Sequence, residues 1–473
     1  MKVGVVFVTA RRDLEVWPYV NFDYESRKTE ILQTLQGEIP EIEFIPIDVQ
    51  GTPDEEIPKV RELAGRVDGL LVSVMCTNWW LTSSLFPAVG ELNIPALLVD
   101  EPYAGSGVFL CHGAAAVRGG AKLVMLSTCG FQDVVETARC FGLLNRPEAS
   151  LDRFFAAADR VRRANFATPG DMSCLEDPVK IADVSEVLRR LKETKILRVV
   201  GDKGESSRVL GTLVETVTFE EINAVYRAID RDEAASWSDR WIAEAREVIE
   251  PTRDDILNAA AVYLSMKKLL EKRGAQAVTM DCLGGFYSGK LPGYPCLGYR
   301  QINDDGLQCG TCEAQIQDMT AMMICRYMFG RASYTSDPVL DTSTNQIIYA
   351  HCVAPTKMLG PNDAANPFLI RSHAEDNRGA SIQSLLPVGY MTTSFRFNRD
   401  YSAMAVHQAK TVGNVDEPKA CRTKLAAEVK GDIEKLFYEW DRFSWHRLTV
   451  YGDVREPLEE LARALKMDVV REA

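Results

Sequence analysis

Histidine is scarce in this chain: His112, His351, His373, His407 and His446 are all there are among 473 residues. Any site that needs an imidazole must choose among these five. Long apolar runs are missing too. No stretch of about 18 apolar residues occurs, which excludes an ordinary transmembrane helix. Basic charge is in deficit, with 54 Lys and Arg against 67 Asp and Glu and a formal net charge of −13. That argues against nucleic acid or an anionic membrane as partner, since both demand a basic face. The turn after the first apolar run reads TARRD, with no glycine. A G-x-G-x-x-G fingerprint is therefore absent where a dinucleotide would need it, and no GxxxxGK[ST] occurs either. GDKGESS (201–207) is only a glycine-containing turn. There is no low-complexity tract and no tandem repeat. The N-terminus, MKVGVVFVTARRD, is a short buried strand rather than a signal peptide. Those absences lead us to expect a cytoplasmic protein.

What is present is an ordinary globular composition, 46% apolar and 26% charged, in a chain too long for one core. VGVVFV (3–8), IEFIPI (42–47), GLLVSVM (69–75), PALLVD (95–100) and KLVMLS (122–127) are strand-like runs, with helical spacing over 22–36 and 55–67. This is the rhythm of a parallel sheet covered by helices on both faces. A polar stretch, ATPGDMSCLEDP (167–178), looks like a linker. ILRVVG (196–201), helices through 218–274 and AQAVTMDC (275–282) then repeat the α/β pattern. One long helix is expected over 253–273, with Lys267 out of place in its apolar stripe, and another over 312–328. After about 335 short β-like runs alternate with Gly, Pro, Asn and Asp, and PLEELARALKM (457–467) is a closing helix. The fold expected is α/β: two doubly wound parallel-sheet domains, 1–170 and 171–335, then an antiparallel β-barrel-like domain, 336–473.

Twelve cysteines are scattered from Cys76 to Cys421, and in a reducing compartment most are small buried hydrophobes. Within LQCGTCEAQIQDMT, Cys309 and Cys312 form a Cys-x-x-Cys pair with Glu313 directly behind it. A redox site wants that pair opening a helix, and a zinc site wants a second pair of similar spacing. No second pair follows; Cys282, Cys296 and Cys325 are single and irregularly spaced. Glu313 by itself reads as a first-turn carboxylate facing the positive end of a helix dipole. Asp337, before Pro338, reads as the start of a turn. His446, on a strand-like run before the last helix, reads as a core histidine. His351 and His373 share that ambiguity.

Taken together these residues carry a resemblance. NDDGLQCGTCEAQIQDMTAMMICRYMFGRASYTSDPVLD resembles the metal-site segment of the L-fucose isomerase/L-arabinose isomerase superfamily. In its fucose isomerase branch a Glu opens a helix, and an Asp lies 24 residues later at the end of the next strand. Glu313 and Asp337 have that spacing. WHRLTVYGDVREPLEELARALKMDV resembles the segment carrying the branch's metal-binding histidine, which places His446 there. The resemblance implies a divalent metal, usually Mn²⁺ and otherwise Co²⁺ or Mg²⁺, held by Glu313, Asp337 and His446. It implies aldose–ketose isomerisation of a sugar, with Glu313 and Asp337 also serving as acid and base. It further implies a homo-oligomer, trimeric or hexameric, with the pocket at a subunit boundary. Trp79 or Trp80, in MCTNWWLTS, corresponds to a tryptophan that covers the sugar from a neighbouring subunit. Arg11 and Arg12 are candidates for a substrate oxygen or acidic substituent, against the simpler reading of a solvated pair. The chain is shorter than typical fucose isomerases and matches best at the metal residues, so the activity class carries over better than the sugar.

Two carboxylates and an imidazole suit such an ion and leave positions open for two adjacent sugar oxygens. Chelation there would acidify the C–H between them and stabilise an enediolate; a hydride shift between the same carbons is the competing route. An epimerase or lyase using the same metal, or a non-catalytic cytoplasmic sugar-binding protein, are the alternative functions.

Overall fold

The N-terminal apolar run becomes the strand Lys2–Val8, buried at every position after Lys2. In a computed structural model, which describes residues 1–145 and 150–473, it lies inside a five-stranded parallel sheet. The other strands are Glu43–Val49, Gly69–Val74, Ala96–Asp100 and Val124–Leu126, in the spatial order 2-1-3-4-5. Helices between them cover both faces, which is why these strands read as continuous apolar runs.

A second sheet runs Cys309–Cys312, Ala277–Met280, Lys195–Val200, Thr212–Thr218, Ser207–Val209, parallel except for its last strand. The long helix Arg253–Arg273 packs against it. A capping box between Thr252 and Asp255 starts that helix, and Gly274, at φ 59°, ends it. Lys267 fits its half-buried position by lying over the Tyr263 ring, 5.7 Å from its centroid. The polar 167–178 stretch contains no helix or strand and straps the barrel, Leu175 N–H donating to Gly389 and Asp177 pairing with Arg331.

The third sheet is a closed barrel. Met391–Phe397, Arg447–Tyr451, Ser333–Asp341, Gln346–His351, Thr423–Val429 and Ala403–Asn414 pair antiparallel in that order, and the last pairs with the first. Closure leaves these six strands without a free edge. The C-terminal strand Asp468–Arg471 adds in parallel to Ala403–Asn414. The expected architecture, two parallel-sheet α/β units followed by an antiparallel barrel, is the one observed. No helix among the described residues is long and apolar enough to cross a membrane.

The segment 309–329 departs from expectation. CGTC is a fully buried strand, not the opening of a helix, and the helix begins only at Ile316. Pairing with Ala277–Met280 along all four residues outcompetes helical propensity. Strand alternation then sends Cys309 and Cys312 to opposite faces, because they are an odd number of residues apart. Cys309 packs in the core around Met323 and Ile324, Cys312 in the core around Met280 and Tyr299. The pair cannot act as one chelate or one redox centre.

Candidate metal centre

Register brings the first two ligand candidates together. The last pair between Ser333–Asp341 and Arg447–Tyr451 joins Ser336 to Arg447. One step further along the same antiparallel register, Asp337 faces His446. That ladder stops at Ser336, so Pro338, which has no N–H, interrupts nothing on that side. Asp337 therefore sits in mid-strand rather than at a strand end or in a turn.

Glu313 arrives from the second sheet. It occupies the turn after Cys312, not the first turn of a helix, with φ 67° at Glu313 and 52° at Ala314. Left-handed backbone at two successive non-glycine residues is costly and needs support. Ala314 N–H donates to the Met280 carbonyl at 3.0 Å, and Arg198 Nε donates to the Ala314 carbonyl at 3.2 Å.

The three side chains converge. His446 Nε2 lies 3.1 Å from Asp337 Oδ1 and 3.3 Å from Glu313 Oε2. His351, at the end of its barrel strand, brings Nε2 to 3.7 Å from Glu313 Oε1. Both imidazole Nε2 atoms are buried without a partner in hydrogen-bonding geometry. Ion-pair distances thus link His446 to both carboxylates and His351 to Glu313. Glu313, His351 and His446 each offer an atom within 4.8 Å of the others.

Behind His446 stands Asp318, a residue whose importance the sequence did not reveal. It is fully buried, accepts His446 Nδ1–H at 2.7 Å and Thr335 Oγ1–H at 2.8 Å, and pairs with Arg396. The bond at Nδ1 orients the ring and turns Nε2 toward the carboxylates. Trp445, the neighbour of His446 in sequence, donates its indole N–H to Asp337.

Electrostatics mark the centre as one that attracts positive charge. Burial opposes a charge on His446, yet Glu313 and Asp318 hold its pKa well above the ordinary value. Burial likewise opposes His351, but Asp337, Cys352 and Glu313 raise it to about 9. Burial would raise Glu313, and the His446 charge lowers it instead. Glu375, on the cavity wall, is pushed up to about 7, mainly by burial.

The centre opens into a cavity of about 210 Å³ to which all three units contribute: Trp17 and Thr77 from the first, Tyr287 and Glu313 from the second, Asp337 and Trp445 from the barrel. Among the described residues no Lys or Arg lines it. On its other side Glu313 borders a second cavity, of about 540 Å³, whose wall carries Arg198, Arg396, Arg399 and Arg442.

The remaining sequence candidates lie elsewhere. Arg11 and Arg12 have side chains 69% and 60% exposed and pair with Asp13 and Asp23; neither reaches the cavity wall. Trp80 is 79% exposed. Trp79 packs on His112 and on Trp445, ring centroids 4.1 and 5.2 Å away, and so touches the centre only through Trp445.

No family model matches the chain. It is similar to two proteins named sulfoquinovose isomerase, from Priestia aryabhattai and from Priestia megaterium (strain ATCC 12872 / QMB1551). Each is 26% identical over 329 residues, covering 64% of this chain and 70% of the relative. Among solved structures, a periplasmic solute-binding protein from Actinobacillus succinogenes 130z with bound D-allose has a TM-score of 0.19 and 10% identity, covering 61% of this chain and 83% of the other. A periplasmic sugar-binding protein from Pseudomonas fluorescens has a TM-score of 0.19 and 11% identity, over 65% and 84%. Neither score carries a fold argument.

Proposed function

We propose that this chain is an aldose–ketose isomerase of the fucose isomerase-like group. In this reading Glu313, Asp337 and His446 hold one divalent cation, Mn²⁺ in the first instance, with His351 beside them. The observation that carries the proposal is His446: buried, anchored through Nδ1 to Asp318, with an unpartnered Nε2 facing two carboxylates. Oxygen and imidazole donors in that ratio suit a borderline-hard ion. The similarity to named sugar isomerases supports the same activity class.

When bound, the cation would supply Lewis-acid polarisation of a sugar carbonyl and its neighbouring hydroxyl. The chain's own residues do the rest. Asp337, pinned by Trp445, is a fixed donor. Glu313, its side chain 27% exposed toward open space, is the carboxylate able to take a proton from one sugar carbon and return it to the next. Glu375, close to half-protonated near neutral pH, can hold a proton for a sugar oxygen. Trp17 and Trp445 offer apolar faces for the C–H side of a sugar ring.

The charge pattern bears on the substrate. A neutral aldose fits the acidic cavity by itself. A sugar with an anionic end, such as sulfoquinovose with its sulfonate, finds guanidinium counter-charge on the arginine side of Glu313. We include a homo-oligomer in the proposal, with the exposed Trp80 as a contact for another copy.

The test is a panel of aldoses, including sulfoquinovose, incubated with the Mn²⁺-loaded protein in D₂O. Ketose formation identifies the substrate, and deuterium at the product carbon identifies proton transfer through an enediolate. Deuterium-free ketose would replace it by a hydride shift, and no ketose from any aldose would contradict the activity.

A further inference from the structure

Cysteines that the sequence scatters meet at one place. Cys296 opens the helix Cys296–Asp305, Cys312 ends the edge strand of the second sheet, and Cys352 follows the barrel strand Gln346–His351. Their Sγ atoms all lie within 4.8 Å of one another. Cys296 and Cys352 are 3.6 Å apart, and all three are buried as free thiols. Two more thiols border the group. Cys282 belongs to the same buried core as Cys312, and Cys421 lies with Cys352 and His351 inside the same 4.8 Å limit. Cys282, Cys312, Cys352 and Cys421 all line the cavity into which Glu313 projects.

Separate elements from two sheets do not bring sulfurs to a point merely by using cysteine as a small hydrophobe. Three sulfurs at this spacing are a soft ligand set. Zn–S bonds of about 2.3 Å at tetrahedral angles put sulfurs about 3.8 Å apart, close to the 3.6 Å between Cys296 and Cys352. We propose that Cys296, Cys312 and Cys352 bind a thiophilic divalent cation of the Zn²⁺ class, at a site distinct from the Glu313–Asp337–His446 centre, with a fourth position toward the cavity. Binding displaces the thiol protons to solvent and leaves each sulfur a thiolate ligand. Cys312 directly precedes Glu313, and Cys352 directly follows His351. The site therefore ties the second sheet to the barrel and fixes the backbone that aims both residues.

The experiment uses full-length protein, stripped of metal and kept reduced by a phosphine, with Co²⁺ as the probe. The expected result is a near-ultraviolet thiolate-to-cobalt charge-transfer band that saturates at one equivalent per chain and is abolished by Zn²⁺. The band should be lost or strongly weakened in Cys296→Ser and in Cys352→Ser, and kept in His446→Ala, which removes the imidazole donor of the other centre. Absence of the band from the wild-type protein overturns the proposal without recourse to any variant. So does its persistence in both cysteine variants, or its loss in His446→Ala.

Discussion

His446 and Asp318 share a buried hydrogen bond, Nδ1 to Oδ2 at 2.7 Å. It fixes which ring nitrogen faces Glu313 and Asp337. Asp318→Asn should lower Mn²⁺ affinity by about 10- to 100-fold, the usual cost of losing a ligand's supporting carboxylate. It also leaves Arg396 buried beside a neutral amide, so stability should fall by about 1–3 kcal/mol. Calorimetric Mn²⁺ titration and urea unfolding check the two effects; unchanged affinity would remove Asp318 from the centre.

Arg399 and Arg442 line the arginine-rich cavity that Glu313 borders. In the double variant Arg399→Met/Arg442→Met, the KM for sulfoquinovose should rise about tenfold or more, the loss of charge-assisted bonds to an anion. The kcat/KM of neutral aldoses should stay within about twofold. Equal losses for both classes would place the anionic end elsewhere.

Glu375 holds a proton in the fold that the unfolded chain has lost. Its pKa rises from 4.5 to about 7, so the folded state binds more protons between those values. Stability therefore falls as pH climbs from about 4.5 to about 7 and remains lower above. Glu375→Gln keeps an acceptor for Tyr287 and removes this loss. In metal-free protein the variant should gain on the wild type by on the order of 2 kcal/mol across that window. Parallel unfolding curves at pH 5 and pH 8 measure it, and a constant difference would refute it.

Glu472 is buried between Arg447, at 2.8 Å through both carboxylate oxygens, and His407 Nδ1 at 2.8 Å. It anchors the C-terminal strand to the barrel. Glu472→Ala leaves a buried guanidinium unpaired and should cost about 3–5 kcal/mol, read as a lowered urea midpoint. A loss under about 1 kcal/mol would show the network to be dispensable.

Much of this architecture was legible because parallel strands buried on both faces announce themselves as apolar runs, as VGVVFV and GLLVSVM do. Glu313, Asp337 and His446 were legible through spacing and resemblance, and the structure brings them together. Their local settings were not. CGTC reads as a helix start, but a strand partner 32 residues earlier decides its conformation, and no local pattern announces a partner. Asp318 in the first turn of a helix looks like any dipole-facing carboxylate until His446 and Arg396 fold onto it. Glu375 is ordinary in sequence because it is the fold that buries it and sets Glu313 and Asp337 near it. The thiol cluster has no spacing motif at all, since its members sit on elements joined only in the fold. Arg11 and Arg12 show the converse: residue type suggests a binding role, and the fold leaves both exposed and paired with Asp13 and Asp23.

Mn²⁺ binding by chelator-stripped protein, followed by the loss of the free-ion electron paramagnetic resonance signal, reports directly on the Glu313–Asp337–His446 centre. The wild-type chain should take up one equivalent tightly, and Glu313→Gln and His446→Ala, with unchanged circular dichroism, should each bind at least about tenfold more weakly. Undiminished uptake of one equivalent by both variants would contradict a cation centre built on these residues.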